Sequence, residues 1–394
     1  MSVLQVFEEE LALLRASHSH RSLRFLSDPK GKYAFLDGRE ILLFCGNDYL
    51  GLAHHPRLIR AFKQAAELYG VGAGAARLIS GTTDLHTRLE KEIADFKKKE
   101  KALLFTAGYL ANIGVVSALA NEKDVIVMDK LCHASLIDGA RLSGAAIRVF
   151  PHKNYRRCFE ILEKSKNYRR RVLVSDTVFS MDGDCADLNE LARLKKKYEC
   201  LLILDDAHGT GVLGAGGRGA VEEAGLENEV DVIVGTLSKS LGCLGGFAAT
   251  SKTIWEYLIN HARPFIFATA LPPAVCAAAS QALRLIREEP GLRADLARNV
   301  QKMTRGLFEA GLLQEKISSP IFPILIGSEE DALAVSDRLR DQGFLAPAIR
   351  PPSVPKGKAR LRVTLRADHT EEDIERFLGA LVSCLGKSKQ SPIA

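Results

Sequence analysis

Seven short apolar runs constrain this chain more than any other feature: residues 102–105, 125–129, 147–150, 172–176, 201–205, 232–236 and 247–250. Stretches with helical spacing separate most of them, such as Leu85, Leu89, Ile93 and Phe96 behind the capping residue Thr83. Runs this short, apolar throughout rather than alternating, suit strands covered on both faces. Their alternation with helices predicts an α/β domain built on a mainly parallel, seven-stranded sheet.

The alternation breaks at Glu288-Glu289-Pro290-Gly291. Beyond it we read a helix over about 292–311, a strand at 320–326, a helix near 329–342 and strands near 345–349 and 359–365. A last helix opens at Thr370-Glu371-Glu372-Asp373 and runs to about 385, completing a smaller α+β domain. Ahead of the sheet, residues 1–20 read as an amphipathic helix and 32–44 as a short hairpin. The expected divisions are a segment 1–50, a large domain 51–288, a small domain 289–386 and a tail 387–394.

Composition excludes several classes. Apolar content of 46% and charged content of 26% are those of an ordinary globular protein, and the net charge of +6 is spread along the chain. The basic runs 97–99, 169–171 and 195–197 lack interleaved aromatics, so nucleic acid is not an expected partner, although an anionic substrate is compatible. Eight scattered cysteines show no spacing suited to zinc, which predicts no metal and a reducing, cytoplasmic setting. Glu8-Glu9-Glu10 stands where a signal peptide needs basic and then apolar residues. The uncharged stretch 264–283 is long enough to span a bilayer, but Pro272-Pro273 interrupts it, predicting a buried loop feeding a helix and no membrane role.

Ligands of open α/β sheets bind beyond the carboxyl ends of the strands. Asp205 and His208 follow one run in Asp205-Asp206-Ala207-His208, and Thr236 ends another in Thr236-Leu237-Ser238-Lys239-Ser240. His133 and Ser180 follow two more. Alone, each such residue more often caps a helix or lines a turn. Together they offer an amine, a carboxylate and ring nitrogens in one place. That set suits pyridoxal phosphate, which needs a lysine for its aldehyde and an anion for its ring nitrogen. Its phosphate calls for a helix amino terminus, and Thr106-Ala107-Gly108-Tyr109 provides one. The run Gly214-Ala215-Gly216-Gly217-Arg218-Gly219 matches the dinucleotide fingerprint, and with it a nicotinamide oxidoreductase. It stands apart from the preceding strand, however, so we read it as a surface loop.

The motifs Asn47-Asp48-Tyr49-Leu50-Gly51, Ser80-Gly81-Thr82, His133-Ala134-Ser135, Phe179-Ser180-Met181-Asp182-Gly183-Asp184, Asp205-Asp206-Ala207-His208 and Thr236-Leu237-Ser238-Lys239 resemble those of the α-oxoamine synthases. The resemblance runs over about 20–385 and implies the fold-type I architecture of pyridoxal phosphate transferases. It implies Lys239 as the Schiff-base lysine, Asp205 on the pyridine nitrogen, and His208 with Ser180 on the ring oxygen. His133 is implied as the stacking ring, with Gly108, Tyr109 and Thr236 on the phosphate side. Arg362, aided by Asn47, is implied as the amino-acid carboxylate clamp, and Arg21 and Ser353 as substrate contacts. The implied activity is decarboxylating condensation of an amino acid with an acyl thioester, carried by coenzyme A or a carrier protein, in a homodimer with shared active sites. The segment Ile349-Arg350-Pro351-Pro352-Ser353 with Arg360-Leu361-Arg362 is most similar to the biotin-pathway branch, implying L-alanine and a pimeloyl thioester. The glycine–acetyl and serine–palmitoyl branches stay open, as does a non-catalytic partner subunit. Retention of Lys239, Asp205, His208 and His133 argues against the last.

Overall fold

A computed structural model of the protein describes residues 2–386; the expected tail at 387–394 lies outside them. The chain forms two compact units, one of residues up to 46 with 181–183 and those from 295 onward, the other of 47–180 and 184–294.

The first unit opens with the helix Val3–Ala16, then β1 (Leu26–Lys30), β2 (Tyr33–Leu36) and β3 (Arg39–Leu43). Asp37 and Gly38 both have positive φ, which matches the twist of a two-residue hairpin turn and fixes the β2–β3 register. β1 was not expected. All five of its residues are exposed, so it has no apolar pattern and is held by backbone pairing with β2.

In the second unit the apolar runs form β4 (Lys101–Phe105), β5 (Val125–Asp129), β6 (Ala146–Phe150), β7 (Arg171–Asp176), β8 (Leu201–Asp205), β9 (Val232–Thr236) and β10 (Gly246–Thr250). They make one seven-stranded sheet in the order β4-β10-β9-β8-β7-β5-β6. β5 to β9 pair in parallel, and β10 runs antiparallel to both neighbours. Val172, Val174, Ile203, Val232 and Val234 are buried with Val115 and Val116 of the helix Gly108–Leu119 and Leu136 of the helix Ala134–Ser143. Helical cover on the sheet is what lets these strands be apolar without alternation. Because β5, β7, β8 and β9 share one direction, their carboxyl ends open at one edge.

Two loops at that edge depart from simple turns. After β9, Leu237 N–H donates to Gly245 O (2.9 Å), Cys243 N–H to Leu237 O (2.8 Å) and Gly242 N–H to Lys239 O (2.8 Å). Gly242 has φ +65°, and a Cβ there would sit 2.4 Å from Ala53 N, so this closed loop requires glycine. The glycine-rich run 214–219, expected on the surface, is instead folded inward, with Gly217 and Gly219 buried. A Cβ on Gly219 would lie 1.7 Å from Asp206 Oδ2, and the Glu222 carboxylate accepts from the N–H groups of Gly216 and Arg218. Its glycines serve this close approach to an internal carboxylate.

Pro264–Leu283 contains the expected helix opening at the prolines, Pro273–Glu288, but the expected buried loop is a short helix, Arg263–Ile266, followed by a loop in which Phe267 and Thr269 are exposed. Among the described residues no helix is long and apolar enough to cross a membrane.

The rest of the first unit contains β11 (Ile321–Gly327), β12 (Phe344–Leu345), β13 (Ala348–Ile349) and β14 (Ala359–Thr364). β11, β14 and β13 form a three-stranded sheet, while β12 pairs in parallel with β3. The strand expected over 345–349 is thus two strands in different sheets. Pro347, which has no N–H to offer a ladder, lies at the break. Phe44 stacks on Phe377 (4.1 Å between ring centres) and on His369 (4.4 Å) in this unit's core. Burial pushes the His369 pKa down to about 4, and the neutral ring joins Leu43 O to the N–H of Arg366.

Candidate active site

The carboxyl ends of β5, β7, β8 and β9 surround a cavity of about 240 Å³. Asp205, His208, Thr236, Lys239, His133, Gly108 and Tyr109 all line it, so seven of the residues singled out in the sequence come together. Asn112, Ser135, Asp176 and Ser238 line it too, and sequence reasoning had given them no role.

Asp205 is nearly buried. Its Oδ1 accepts from Ala207 N–H (2.8 Å), and its Oδ2 accepts from Asn112 Nδ2 (2.5 Å). Asn112 also donates to Ser135 Oγ (2.9 Å), while its own Oδ1 is buried without a partner. A protonated ring nitrogen would add a cation beside this buried carboxylate, whose own hydrogen bonds come from two neutral donors. Asp176 is opposite Asp205 in the β7–β8 ladder. Burial raises the Asp176 pKa well above the carboxylate range, and the field of Asp205 adds to it, even though Oδ2 accepts from His133 N–H (2.9 Å).

His133 caps the helix Ala134–Ser143, with Nδ1 accepting from Ser135 N–H (3.3 Å) and 2.7 Å from Ser135 Oγ. Burial lowers its pKa; the nearby Asp205 opposes and Lys239 assists. A neutral imidazole in this position suits stacking on a flat aromatic ring. Tyr109 meets it edge-on at 6.2 Å between ring centres and donates its hydroxyl to the Asp138 carboxylate.

Lys239 leaves the closed loop after β9. Its Nζ is 2.9 Å from His208 Nε2, His208 Nδ1 is 2.7 Å from Tyr49 Oη, and Tyr49 Oη is 3.2 Å from Asn47 Oδ1. One proton arrangement satisfies the whole chain: Lys239 donates to Nε2, Nδ1–H donates to Tyr49, and the Tyr49 hydroxyl donates to Asn47. Tyr49 was visible only as part of a motif.

On the other side of the cavity, Gly108 begins its helix directly against Thr236. A Cβ on Gly108 would lie 3.0 Å from the Thr236 side chain. No side chain caps this helix, so its first-turn N–H groups face out with no intrahelical partner. Thr236 Oγ1 and Ser238 Oγ stand 2.7 Å apart beside it. Helix amino terminus, hydroxyls and glycine form an anion cradle, so the cavity fits pyridoxal phosphate at both its ring and phosphate ends.

Behind the cavity, Lys97 donates to Asp206 Oδ2 (2.8 Å), Thr210 Oγ1 (2.7 Å) and Arg218 O (2.6 Å), while Thr177 Oγ1 donates to Asp206 Oδ1 (2.7 Å). The network pins the residue after Asp205. Nothing in the sequence pattern announces it, because Lys97 reads as part of a solvated basic run.

Ser180 is half-buried on the loop after β7, and Asn47 is joined to the cavity through Tyr49 and His208. Arg21, Ser353 and Arg362 belong to the other unit. Arg362 is buried in β14, Ser353 N–H donates to Arg350 O (3.1 Å), and Arg21 donates to Pro351 O (3.5 Å).

Known proteins resemble the chain over nearly its full length. The profile of the aminotransferase class I and II family matches residues 39–381. The 8-amino-7-oxononanoate synthase of Geobacter metallireducens is 47% identical over 97% of this chain and 98% of its own. That of Methylococcus capsulatus is 46% identical over 95% and 97%. Among solved structures, a serine palmitoyltransferase of Sphingomonas wittichii superposes with a TM-score of 0.93 at 32% identity, covering both chains completely. One from S. paucimobilis, solved with bound PLP and myriocin, gives 0.93 at 30% over 98% and 99%. The 8-amino-7-oxononanoate synthase of Francisella tularensis gives 0.78 at 30% over 89% and 99%. With its seven-stranded sheet and its lysine–aspartate cavity, the chain belongs to the α-oxoamine synthases, pyridoxal phosphate enzymes within the class I and II aminotransferase family.

Proposed function

We propose that the protein condenses L-alanine with a pimeloyl thioester, releasing carbon dioxide and the free thiol and forming 8-amino-7-oxononanoate for biotin. The observation carrying this reading is the 47% identity to the 8-amino-7-oxononanoate synthase of Geobacter metallireducens, against 30–32% to the serine palmitoyltransferases of like fold.

When bound, pyridoxal phosphate supplies an aldehyde that captures an amine and a ring that takes up the electrons left at Cα. Asp205 accepts the ring N–H, held in place by Asn112 and the Ala207 N–H. His133 would cover one ring face, and His208, with Ser180 from the loop after β7, would serve the ring oxygen. Gly108, Tyr109 and Thr236 hold the phosphate. Lys239 would hold the aldehyde carbon of the resting cofactor, and its free amine would be the base that takes the Cα proton onto Nζ. His208 fixes that amine's direction and is itself fixed by Tyr49. Arg362 holds the alanine carboxylate, a task for which a planar fork suits better than an ammonium. Asn47, Arg21 and Ser353 take substrate contacts. Cα would bond to the thioester carbonyl carbon as the C–S bond breaks, and the departing thiolate takes its proton from solvent, leaving the Cα proton on Lys239. Loss of carbon dioxide reopens a site at Cα, and Lys239 returns a proton to it.

We further take the protein to act in the cytoplasm as a homodimer with shared active sites. The helix Val3–Ala16 has no buried residue and exposes Val3, Leu4, Phe7 and Leu13, which a second copy would cover. The test is a matrix of alanine, glycine and serine against pimeloyl, acetyl and palmitoyl thioesters, read as thiol release. Alanine with the pimeloyl thioester is expected to turn over fastest; turnover confined to glycine with acetyl-coenzyme A sinks the reading.

A further inference from the structure

The hydrogen-bonded chain Lys239–His208–Tyr49–Asn47 runs from the cavity into the interior. Its two ends are built on loops that meet. Asp48 accepts from the N–H groups of Leu52 (2.9 Å) and Ala53 (3.3 Å), and Tyr49 N–H donates to Asn47 O (2.8 Å). The resulting turn sets Ala53 against Gly242, in the closed loop that carries Lys239. Tyr49 is fully buried, His208 nearly so, and Asn47 half-buried. The fold therefore sets the spacing of the chain without help from a cofactor.

His208 faces two opposite demands at Nε2. An ammonium at Lys239 offers only hydrogens, so Nε2 must then be bare and Nδ1 must carry the ring's hydrogen. An ionised ring oxygen of the cofactor offers only lone pairs, so Nε2 must then carry the hydrogen and Nδ1 must be bare. A carbonyl or carboxylate behind Nδ1 would permit only the first state, and a backbone N–H only the second. The Tyr49 hydroxyl, 2.7 Å from Nδ1, both donates and accepts, so it serves either. Packing alone would be met by phenylalanine.

We propose that Tyr49 is a positioning residue acting through His208: its hydroxyl lets the imidazole exchange tautomers as Lys239 passes from free amine to cofactor-bound. In the exchange the Lys239 ammonium gives one proton to Nε2. Nδ1 gives its proton to Tyr49 Oη, and the hydroxyl's own proton leaves on the Asn47 side for solvent. The imidazole stays neutral, Tyr49 keeps one hydrogen, now aimed at Nδ1, and the Lys239 amine is left unprotonated to meet the aldehyde. The proposal rests on the reading of Lys239 as the lysine that holds the cofactor.

Nitrogen NMR of the full chain with isotope-labelled histidine reads the tautomer directly, the His208 signal being the one lost in His208→Asn. In the wild type the hydrogen is expected on Nδ1 without pyridoxal phosphate and on Nε2 with it. The same nitrogen protonated in both states overturns the proposal. In the cofactor-loaded enzyme, Tyr49→Phe is expected to lower kcat about tenfold, the worth of one hydrogen bond, with the KM for alanine unchanged. Added to His208→Asn, it is expected to have no further effect. An unchanged kcat in the single variant, or a further tenfold loss in the double one, overturns the proposal, because a residue that merely packs acts independently of His208. If the wild type turns over no pimeloyl thioester, the proposed function fails separately and the NMR comparison alone decides.

Discussion

Asp176 and Asp205 end neighbouring parallel strands in register, both buried against one cavity, yet only Asp205 is held by two neutral donors. Two adjacent carboxylates in a poorly hydrated site resist ionising together. The proton settles on Asp176, whose pKa is driven up by burial and then by Asp205.

This asymmetry predicts an effect of pH on stability. A carboxyl whose folded pKa is raised binds its proton more tightly when folded, so its contribution falls as pH rises above the unfolded value of about 4. Asp176→Asn mimics the protonated form and keeps an acceptor for His133 N–H. Unfolding of the cofactor-free protein in denaturant is expected to show the variant gaining on the wild type steadily from about pH 4 upward. A constant difference across that range would mean that Asp176 is ionised in the folded protein.

Lys239 and His208, 2.9 Å apart, predict two distinct defects. Lys239→Ala removes the amine but leaves the cradle at Gly108 and Thr236, so cofactor and alanine should still bind while turnover falls by several orders of magnitude. His208→Asn leaves the amine but loses its acceptor at Nε2, and kcat should fall by about 10²-fold with the KM for alanine little changed. Borohydride should fix the cofactor of the yellow wild-type enzyme to a peptide containing Lys239. Near-normal rates in the Lys239 variant would remove it as the base.

The contrast between these two pairs explains what the sequence could reveal. Asp205, His208 and Lys239 were legible because a strand ending abruptly in polar residues is unusual, and the sheet makes such ends converge. Asp176 ends a strand in the same way, but its role comes from a neighbour across the ladder, which no local pattern encodes. Asn112 lies inside an apolar helix and is recognisable only once Asp205 is seen beside it. The small strands failed for a related reason: β1 has no buried face, and the pair split by Pro347 looks continuous in hydropathy. Periodicity reports burial, so elements held by backbone pairing alone stay silent.

His152 joins two loops of the catalytic edge. Its Nδ1 is 3.0 Å from Asp129 Oδ1 and its Nε2 is 3.0 Å from Asp184 Oδ2. Asp129 also accepts from Leu131 N–H, on the approach to His133, while Asp184 O accepts from Phe179 N–H beside Ser180. Burial alone would lower the His152 pKa, but the two carboxylates outweigh it and raise it to about 9. A raised histidine stabilises most below its unfolded pKa of about 6.5, and the effect disappears as pH climbs through about 9. His152→Gln should therefore cost about 1–2 kcal/mol at pH 6, discounted for partial exposure, and progressively less towards pH 10. Denaturant midpoints across that range provide the check; a penalty that does not shrink would mean that the ring is neutral and acts by packing alone.

Lys97 and Asp206 are both fully buried, and Asp206 immediately follows the cofactor-facing Asp205. The attraction within such a pair barely exceeds the cost of removing both charges from water, but losing one partner strands the other. Lys97→Met keeps a long apolar stem and deletes only the ammonium. It leaves Asp206 with hydrogen bonds from Thr177, Thr210 and the Ala220 N–H but no cation. Unfolding in urea should therefore show a loss of about 3–5 kcal/mol. Because Asp206 anchors the end of β8, cofactor affinity should weaken as well, even though Lys97 does not line the cavity. Adding Asp206→Asn to Lys97→Met removes the stranded charge while keeping an acceptor for Thr177, and it should recover a substantial part of the stability. Full stability in the single variant would mean that Asp206 is held by its neutral donors alone.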